Sequence, residues 1–501
     1  MCITSISTLL QGIIEVPSVF DVTIHGLKTD SRKVQSGDAF IALAGARTPA
    51  EHYMDQAISA GATAILLESE QERQCHERHG ALIVPVVGLR ARLGRIADRF
   101  FEHPSRHLRV IGVTGTNGKT SIATFTRQIW EALDKKAASL GTLGIYPPIP
   151  NAPAALTTPD SIGLFNSLKD LGDLGYNHLA LEASSHGLDQ YRLDGLRLKA
   201  AAFSNLSQDH LDYHPNMASY LDAKLRLFSD LLPNGATAVL NKDMPEYERI
   251  AKVCADRNHT IISYGHKPSD LQVVKQSPTT DGQDLTLSLF GEIYQITLPL
   301  TGSFQAANIM AAVGLTLACG ADLQEVLKTL PNLKGVPGRA EKIGKTAKGG
   351  TVYVDFAHTP DAVATIIQAL RPHTTGKLSI IVGCGGDRDP GKRPLMGGIA
   401  DKLADQAYIT DDNPRTEDPA TIRAQAMAAA PNAIEVDDRR KAIFKAVSAL
   451  NNGDLLIIAG KGHESGQIIG DKVLPFDDRI VAQEAINHTL ETRNSGGPDH
   501  A

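Results

Sequence analysis

The chain has 501 residues and a formal net charge of −6, because 50 Lys and Arg residues face 56 Asp and Glu residues. This length predicts about three domains, and a hydrophobic content of 42% excludes wholesale disorder. The mildly acidic balance disfavours nucleic-acid binding, which needs a basic face. No apolar run of about 18 residues occurs, and no basic segment precedes an apolar one at the start. We therefore expect a cytoplasmic protein without membrane insertion.

The first hundred residues predict a small α/β domain over residues 1–103. Short apolar runs at 39–43 and 62–67 have the length and composition of buried strands. A helical pattern over residues 53–60 separates the two runs.

A second α/β domain is predicted over residues 104–335. A buried strand at 110–113 leads into a glycine-rich turn and an amphipathic helix, and further strand-like runs alternate with helical segments. Such alternation predicts a mostly parallel sheet with helices on both faces. Residues 270–300 differ, since their spacing predicts a few antiparallel strands. Glycine and proline at 333–338 indicate the boundary that follows.

The alternation of strands and helices restarts beyond this boundary and predicts a third α/β domain over residues 336–501. The predicted strands are 351–355, 378–383, 406–410 and 455–459, and the predicted helices lie near 360–370, 394–405, 419–430 and 438–449.

The strongest motif is a glycine-rich loop between the strand at 110–113 and the helix after it. Its residues are Gly115, Thr116, Asn117, Gly118, Lys119, Thr120 and Ser121. Backbone N–H groups in such a turn bind phosphate oxygens, while the lysine reaches the outer phosphates and the hydroxyl of Thr120 can bind Mg²⁺. The loop is shorter than the GxxxxGK[ST] pattern, so the alternative is an ordinary helix-start loop with a chance lysine.

Two further positions are candidate metal ligands. Glu182 ends a predicted strand, where open α/β sheets bind ligands, and its carboxylate could share Mg²⁺ with Thr120. His210 and His214 have the spacing of a helical zinc pair. However, Leu211 stands where a metalloprotease has its general-base glutamate. His210 alone, beside the phosphate site, is therefore the favoured ligand.

Lys224 lies in a predicted helix over residues 217–232. Leu221, Leu225 and Phe228 form the apolar face of this helix. By spacing alone, Lys224 is an ordinary solvated lysine.

Taken together, these motifs resemble those of the Mur ligase family and are most similar to its MurE type, which adds the third peptide residue to UDP-N-acetylmuramoyl-L-alanyl-D-glutamate. The resemblance spans nearly the whole chain. It rests on the glycine-rich loop, the Thr-Thr-Pro at 157–159, the segments 182–188, 209–214 and 223–224, and the C-terminal segments 338–339, 355–361, 385–389 and 460–464.

The resemblance implies three domains: a UDP-binding domain, a central P-loop-type ATPase and a Rossmann-like domain for the incoming amino acid. It implies that Lys224 is carbamylated by CO₂ and binds Mg²⁺ with Thr120, Glu182 and His210. Lys119, Lys224, His210 and Glu182 are then the catalytic residues. The implied ATP contacts beyond the loop are Asn308, Arg339, Asp355 and His358. The implied UDP-peptide contacts are Ser31, Thr157, Thr158, Ser184, Gln190 and Arg192.

The segment Asp412-Asn413-Pro414-Arg415 resembles the motif of MurE enzymes that use meso-diaminopimelate rather than L-lysine. Diaminopimelate carries an extra carboxylate, which a guanidinium binds through two parallel hydrogen bonds. Arg415 is the candidate for the guanidinium that binds this carboxylate. The resemblance implies that Arg388 is a second contact of the carboxylate and that Gly460 and Glu464 contact the distal ammonium. The sequence Asp412-Asn413-Pro414-Arg415 is also typical of a simple turn, because asparagine and proline favour turns.

The expected activity is an ATP-dependent, ADP-forming amide ligation through an acyl phosphate, carried out on small-molecule substrates by a monomer. Three alternatives remain open. The chain could be another Mur-like amide ligase, such as folylpolyglutamate synthetase, although its N-terminal domain and Asp-Asn-Pro-Arg segment count against this. It could be a MurE-type enzyme that uses L-lysine, or a P-loop switch or scaffold that binds ATP without forming a bond.

Overall fold

Three principal β-sheets, each packed against helices, follow one another along the chain. The structure is a computed structural model and describes residues 3–45, 49–150, 156–279 and 282–495. Within these ranges, no helix is both long enough and apolar enough to cross a membrane.

The first region builds a five-stranded sheet of order β3-β4-β5-β7-β6, in which only β6 runs antiparallel to its neighbour. The strands predicted at 39–43 and 62–67 are present, shifted by one or two residues. The elements are β1 (Thr4–Ser5), β2 (Thr23–Ile24), β3 (Gly26–Lys28), β4 (Asp38–Ala42), β5 (Ala64–Ser69), β6 (His76–Arg78) and β7 (Ala81–Val87), with helices α1 (Ile6–Leu9), α2 (Met54–Ser59) and α3 (Leu89–Phe100).

The second region contains a ten-stranded sheet. Its strands are β8 (Arg109–Thr114), β9 (Ala137–Gly141), β10 (Gly144–Tyr146), β11 (His178–Glu182), β12 (Leu198–Phe203), β13 (Thr237–Asn241), β14 (Thr260–Gly265), β15 (Leu271–Pro278), β16 (Gln283–Leu289) and β17 (Glu292–Leu298). Its helices are α4 (Lys119–Ala132), α5 (Ser161–Asp173), α6 (Ser185–Asp189), α7 (Met217–Arg226), α8 (Tyr247–Asp256), α9 (Phe304–Ala318) and α10 (Leu323–Thr329).

The strand order of this sheet is β10-β9-β11-β8-β12-β13-β14-β15-β16-β17. The strands from β9 to β15 pair in parallel, while β10, β16 and β17 pair antiparallel to their neighbours. Both the parallel sheet and the antiparallel strands predicted at 270–300 are therefore confirmed. Strands β8, β11 and β12 lie side by side, so the loops that follow them meet at one edge.

The third region contains a six-stranded sheet of order β18-β19-β23-β20-β21-β22, antiparallel only between β18 and β19, and a separate hairpin. The predicted strands and helices are all present, with bounds shifted by a few residues at most. The strands are β18 (Glu341–Lys345), β19 (Thr351–Asp355), β20 (Leu378–Cys384), β21 (Gln406–Asp411), β22 (Ile434–Glu435), β23 (Leu455–Ala459), β24 (Gly466–Ile469) and β25 (Lys472–Pro475). The helices are α11 (Pro360–Leu370), α12 (Lys392–Leu403), α13 (Pro419–Met427), α14 (Arg439–Ser448) and α15 (Asp478–Ser495).

The segments around His210 and Lys224 depart from regular helix. Residues 211–216 form turns and bends, and His210 itself has a positive φ of 54°, so the two histidines four residues apart do not lie on a helix. The helix predicted over 217–232 is α-helical only to Arg226. It continues as a π-helical turn over Leu227–Leu231, which Pro233 ends.

The first and second regions share one hydrophobic core. A continuous cluster of buried residues includes Ile41 and Ile96 from the first region and Leu181 from the second. At this junction the backbones touch, since a Cβ on Gly94 of α3 would overlap the carbonyl oxygen of Asp194. The third region has its own two clusters, one on each face of its sheet.

Candidate functional site

The glycine-rich loop after β8 has a backbone that only glycine can supply at two positions. Gly115 has a φ of +140° and Gly118 a φ of +87°. A Cβ on Gly115 would overlap Ser204 Oγ, and one on Gly118 would lie 2.6 Å from Asn308 Oδ1. The loop therefore presents bare backbone at the N-terminus of α4, as close approach of a phosphate requires.

Lys119 turns its amine back over this loop. Its Nζ donates to the carbonyl oxygens of Gly115 at 3.0 Å and of Thr116 at 2.8 Å. Burial lowers the pKa of Lys119, and the nearby carboxylates of Glu182 and Asp209 oppose this effect. A cation held at the loop is placed to meet the charge of bound phosphates.

Beside the loop, a cavity of about 330 Å³ opens between the second and third regions. Seven of the predicted ATP-binding residues line it together: Asn117, Gly118, Ser121, Asn308, Arg339, Asp355 and His358. The structure thus gathers residues from the glycine-rich loop and α4, from α9, from the segment before β18 and from the end of β19 with the loop after it. They surround one space large enough for part of a nucleotide.

Arg339 connects this cavity to the glycine-rich loop. Its guanidinium lies 4.3 Å from the centre of the Phe356 ring, and its Nη2 donates to Thr120 Oγ1 at 3.3 Å. Asp355 fixes the backbone beside it by accepting hydrogen bonds from the N–H groups of Ala340 and Ala357 at 2.7 and 2.8 Å. Burial raises the pKa of Asp355, while Arg339 acts to lower it.

Thr120 and Glu182 meet as the sequence predicts. Thr120 Oγ1 donates to Glu182 Oε2 at 3.1 Å, and Thr142 donates to both carboxylate oxygens through its backbone N–H and its hydroxyl, at 2.9 and 3.1 Å. Hard oxygen ligands at a phosphate loop suit Mg²⁺, which takes few protein ligands and completes its shell with phosphates and water. The described residues contain no group of three or more His, Cys, Asp or Glu that could hold a metal ion.

Lys224 is fully buried, contrary to its spacing-based interpretation as a solvated helix lysine. Its Nζ donates to the carbonyl oxygen of Gly115 at 2.8 Å and lies 4.3 Å from the Tyr220 ring centre. Burial, and then the charge of Lys119, lower the pKa of Lys224 well below its usual range. CO₂ reacts with the neutral form of an amine, and burial shifts Lys224 towards that form.

His210 lies close to this lysine, packed 6.1 Å from the ring centre of Tyr220 and 4.8 Å from that of His186. Its Nε2 is 3.5 Å from Asp209 Oδ2. Burial lowers the pKa of His210 to about 4, against the opposing effect of Asp209. The imidazole is therefore neutral at pH 7, which is the form that can bind a metal.

Most of the predicted UDP-peptide residues form one hydrogen-bonded network beside Glu182. Thr158 Oγ1 donates to the Glu182 carbonyl oxygen at 2.8 Å and accepts from the backbone N–H and hydroxyl of Ser184, both at 3.0 Å. Arg192 donates to the Thr158 carbonyl oxygen at 2.6 Å and to Gln190 Oε1 at 2.7 Å.

Two other predicted UDP-peptide residues have different surroundings. Thr157 Oγ1 lies 3.1 Å from Thr142 Oγ1, and so reaches the Glu182 group. Ser31 lies in the first region, where its hydroxyl donates to Gln56 Oε1 at 2.7 Å. The structure does not bring Ser31 into the hydrogen-bonded network of the second region.

In the third region, Arg388 and Arg415 flank Gly385. A Cβ on this glycine would lie 2.9 Å from Arg415 Nη1 and 3.7 Å from Arg388 Cγ. Arg415 Nη1 donates to the Gly386 carbonyl oxygen at 2.7 Å, which fixes the guanidinium. Burial, and then the charge of Arg388, lower the pKa of Arg415. Two adjacent guanidiniums of like charge favour a shared anion.

The remaining predicted amino-acid contacts form a second group at the ends of β21 and β23. Asn413 Nδ2 donates to Glu464 Oε2 at 3.1 Å. A Cβ on Gly460, whose φ is +117°, would lie 2.7 Å from Asp412 Oδ2. The carbonyl oxygen of Pro414 accepts from Glu417 N, so a turn begins at Pro414 and runs past the end of the segment. The predicted turn over residues 412–415 does not close, because the N–H of Arg415 donates to the Ile468 carbonyl oxygen.

Sequence reasoning missed three residues that organise these groups. Thr142 holds the Glu182 carboxylate, and Asn205 fixes the loop through hydrogen bonds with both the N–H and the carbonyl oxygen of Asn117, at 2.8 and 3.1 Å. Lys461 is fully buried among the amino-acid contacts. The sequence offered one indication of its importance, because Lys461 lies in the segment Gly-Lys-Gly-His-Glu at 460–464, which resembles the family motif.

Comparison with known proteins gives matches along most of the chain. The model of the Mur ligase family catalytic domain matches residues 23–101, that of the Mur ligase middle domain residues 113–316, and that of the Mur ligase glutamate ligase domain residues 338–462.

Two similar relatives are both named UDP-N-acetylmuramoyl-L-alanyl-D-glutamate–2,6-diaminopimelate ligase. The protein from Caulobacter vibrioides is 46% identical over 484 residues, which cover 95% of this chain and 98% of the relative. The protein from Mesorhizobium japonicum is 43% identical, with coverage of 95% and 98%.

Solved structures agree with this relationship. A structure of a ligase of the same name is 33% identical, covers 97% of this chain and 99% of its own, and superposes with a TM-score of 0.70. MurF from Thermotoga maritima in complex with ADP shares the fold at 20% identity, with coverage of 96% and 99% and a TM-score of 0.62. From the full-length identity to these relatives and the three matching domain models, the chain belongs to the Mur ligase family.

Proposed function

We propose that this Mur ligase joins meso-diaminopimelate to UDP-N-acetylmuramoyl-L-alanyl-D-glutamate at the expense of ATP. The observation that carries the proposal is the pair Arg388 and Arg415, which both lie against Gly385. The carboxylates of Asp412 and Glu464 are close enough to act electrostatically on Arg415. A ligand for this site needs a carboxylate at one position and an ammonium at the other. The distal end of diaminopimelate carries both groups.

Activation of the acceptor carboxylate is the chemical requirement. The γ-carboxylate of D-glutamate attacks the γ-phosphorus of ATP, the bond to ADP breaks, and an acyl phosphate forms. The free amine of diaminopimelate then attacks the acyl carbon, phosphate leaves, and the nitrogen loses a proton as the amide forms. Lys119 and Arg339 supply positive charge beside the phosphates, where charge accumulates during transfer.

The chain's own residues prepare the rest of the centre. Thr158, Ser184, Gln190 and Arg192 would hold the UDP-linked peptide beside Glu182, while the cavity lined by Asn308 and His358 would take the nucleotide. Ser31 would contact the uridine nucleotide from the first region.

Mg²⁺ would be held by Thr120 and Glu182, and a second Mg²⁺ by His210 and carbamylated Lys224. When bound, these ions neutralise the charge of the transferring phosphoryl group. The fit rests on the hydrogen-bonded oxygens of Thr120 and Glu182 and on the buried amine of Lys224, whose pKa burial lowers. Intact-mass measurement of active enzyme under CO₂ should show the carbamate, and an unmodified Lys224 in fully active enzyme would remove it from the proposal.

The test is a reconstituted reaction followed by ADP release and by mass spectrometry of the product. ADP should form only when both the UDP-dipeptide and diaminopimelate are present, and the product mass should equal their sum less one water. Turnover of L-lysine equal to that of diaminopimelate would contradict the proposed specificity. Failure to bind the UDP-dipeptide by calorimetry would instead favour an ATP-binding switch, and glutamate addition to a folate would favour a folylpolyglutamate synthetase.

A further inference from the structure

Lys461 is a buried cation that none of the proposed steps uses. It follows β23 directly, between Gly460 and Gly462, and its side chain is 0% exposed. Its ammonium lies among three side chains: Asn413 Oδ1 at 3.0 Å, Glu464 Oε2 at 3.3 Å and Asp412 Oδ1 at 3.8 Å. An ammonium has three donors, and here three acceptors surround it.

The contacts of Lys461 determine how Asn413 and Glu464 are held. Asn413 Oδ1 accepts from Lys461 and from the backbone N–H of Ile468 at 3.0 Å, which leaves Asn413 Nδ2 to donate to Glu464 Oε2 at 3.1 Å. Lys461, Asn413 and Glu464 therefore form a closed triangle of hydrogen bonds. The triangle ties the loop after β21 to the loop after β23.

The charge of Lys461 is also needed where it lies. Asp412 and Glu464 bring two carboxylates to the same group, and an uncompensated buried charge is strongly unfavourable. Two other cations face these carboxylates, since Asp412 and Glu464 act electrostatically on both Arg415 and Arg439. Arg415 is committed to the Gly386 carbonyl and the proposed ligand carboxylate, and Arg439 to Asp478. Lys461 is the cation that contacts Asp412 and Glu464 directly.

We propose that Lys461 is a positioning residue for the amino-acid substrate: by binding Asn413, Asp412 and Glu464 at once, it holds the acceptors of the distal ammonium in place. The inference rests on the proposed function, because it assigns Glu464 to that ammonium. Lys461 itself contacts no substrate. Its effect reaches the ligand through Glu464 and Asn413, so it should act on binding of diaminopimelate and leave the other two substrates unaffected.

The test compares Lys461→Met, Lys461→Gln and Lys461→Arg with the wild type in the reconstituted reaction. The Met variant should raise KM for diaminopimelate at least about tenfold, as expected when one partner of a buried charged group is removed. KM for ATP and for the UDP-dipeptide should stay within about twofold of wild type. The Arg variant should recover part of the affinity, because it restores the charge. Lys445→Met, on the exposed face of α14, is the matched control and should behave as wild type.

The outcomes separate the two proposals. A wild type that does not use diaminopimelate removes the proposed function. A wild type that does use it, with an unchanged KM in the Met variant, overturns the role of Lys461. Equal increases of all three KM values, or a loss that Lys461→Arg does not relieve, show a merely structural lysine and also overturn it. If the Met variant does not fold, the Gln variant, which keeps a donor without the charge, gives the same comparison.

Discussion

Arg415→Ala should convert the enzyme from one that selects a distal carboxylate into one that ignores it. In the structure, the Arg415 guanidinium is half-buried, anchored to the Gly386 carbonyl oxygen and next to Arg388. Truncation to alanine removes the fork and leaves the substrate carboxylate facing Arg388 alone. The hydrogen bond from Arg415 to the Gly386 carbonyl oxygen is lost as well, but this bond joins two protein groups and does not involve the substrate.

The size of the effect follows from the geometry. Removing one partner of a buried, hydrogen-bonded charge pair costs about 2–5 kcal/mol. Because Arg388 still supplies one positive charge and Arg415 is only half-buried, the lower part of this range applies, about 2–3 kcal/mol. At about 1.36 kcal/mol for each factor of ten, kcat/KM for diaminopimelate should fall roughly 30- to 160-fold.

The assay pairs the mutation with a change of substrate. L-lysine lacks the distal carboxylate, so it has nothing for Arg415 to bind, and its poor kcat/KM should be nearly the same in wild type and variant. The two substrates and two enzymes form a cycle, and the coupling free energy in that cycle isolates the contact between Arg415 and the carboxylate. We expect a coupling of about 2–3 kcal/mol.

Two results would refute this reasoning. An Arg415→Ala enzyme with unchanged kcat/KM for diaminopimelate would show that the fork binds no substrate carboxylate. Equal losses with both substrates would show a general disturbance of the loop. Arg440→Ala is the matched control, because Arg440 is a half-exposed arginine of the same region whose ion pair with Glu484 is also exposed. Such a pair contributes about 0–1 kcal/mol, and the variant should keep the wild-type preference.

Three further expectations concern the loop, a buried ion pair and one histidine. Gly118→Ala should raise KM for ATP more than about tenfold, because its Cβ would press on Asn308 and the φ of +87° is unfavourable for alanine. Asp478→Asn should lower the free energy of unfolding by about 3–5 kcal/mol, since it leaves the fully buried Arg439 without its ion-pair partner. Burial lowers the pKa of His178 from 6.5 to about 4. Between pH 4 and 6.5 the unfolded chain therefore binds more protons than the folded one, so the free energy of unfolding should fall as the pH drops through this range. The fall in the wild type should exceed that in His178→Gln by up to about 3 kcal/mol.

Each of these expectations has its own check. For the loop, Gly235→Ala is the control, because this glycine also has a positive φ but no atom within 4 Å of its added Cβ, and an equal rise of KM there would point to a global effect. For the ion pair, chemical denaturation followed by fluorescence gives the stability, and a loss below about 1 kcal/mol would contradict the assigned burial. For His178, parallel stability curves of wild type and His178→Gln between pH 4 and 6.5 would exclude the depressed pKa.

The sequence predicted those parts of the site that follow strands directly. The loop at 115–121 and Glu182 come from neighbouring parallel strands, so their meeting follows from the alternation of strands and helices. The Asp-Asn-Pro-Arg segment and Glu464 likewise follow β21 and β23 in one sheet.

What the sequence did not predict depends on contacts between distant segments. Thr142 lies in an ordinary turn after β9, and its role depends on the two hydrogen bonds that it donates to the carboxylate of Glu182, 40 positions away. The burial of Lys224 depends on packing against the Gly115 carbonyl, 109 positions away, and spacing within its own helix gives no sign of that. Lys461 lies in the segment 460–464, which resembles the Mur ligase motif, but only the fold places three acceptors around its amine.

The shared core of the first two regions bears on how the protein can be divided. Helix α3 touches the second region backbone to backbone at Gly94 and Asp194, and one cluster of buried side chains spans both sheets. A cut near residue 103 would therefore expose an apolar surface on both fragments. A cut after residue 336 meets a different situation, since the third region has two buried clusters of its own, one of which also packs against Phe304 of α9. Residues 1–336 thus form the smallest N-terminal unit that keeps its core whole, because Leu333 and Val336 still belong to the buried cluster of the second region.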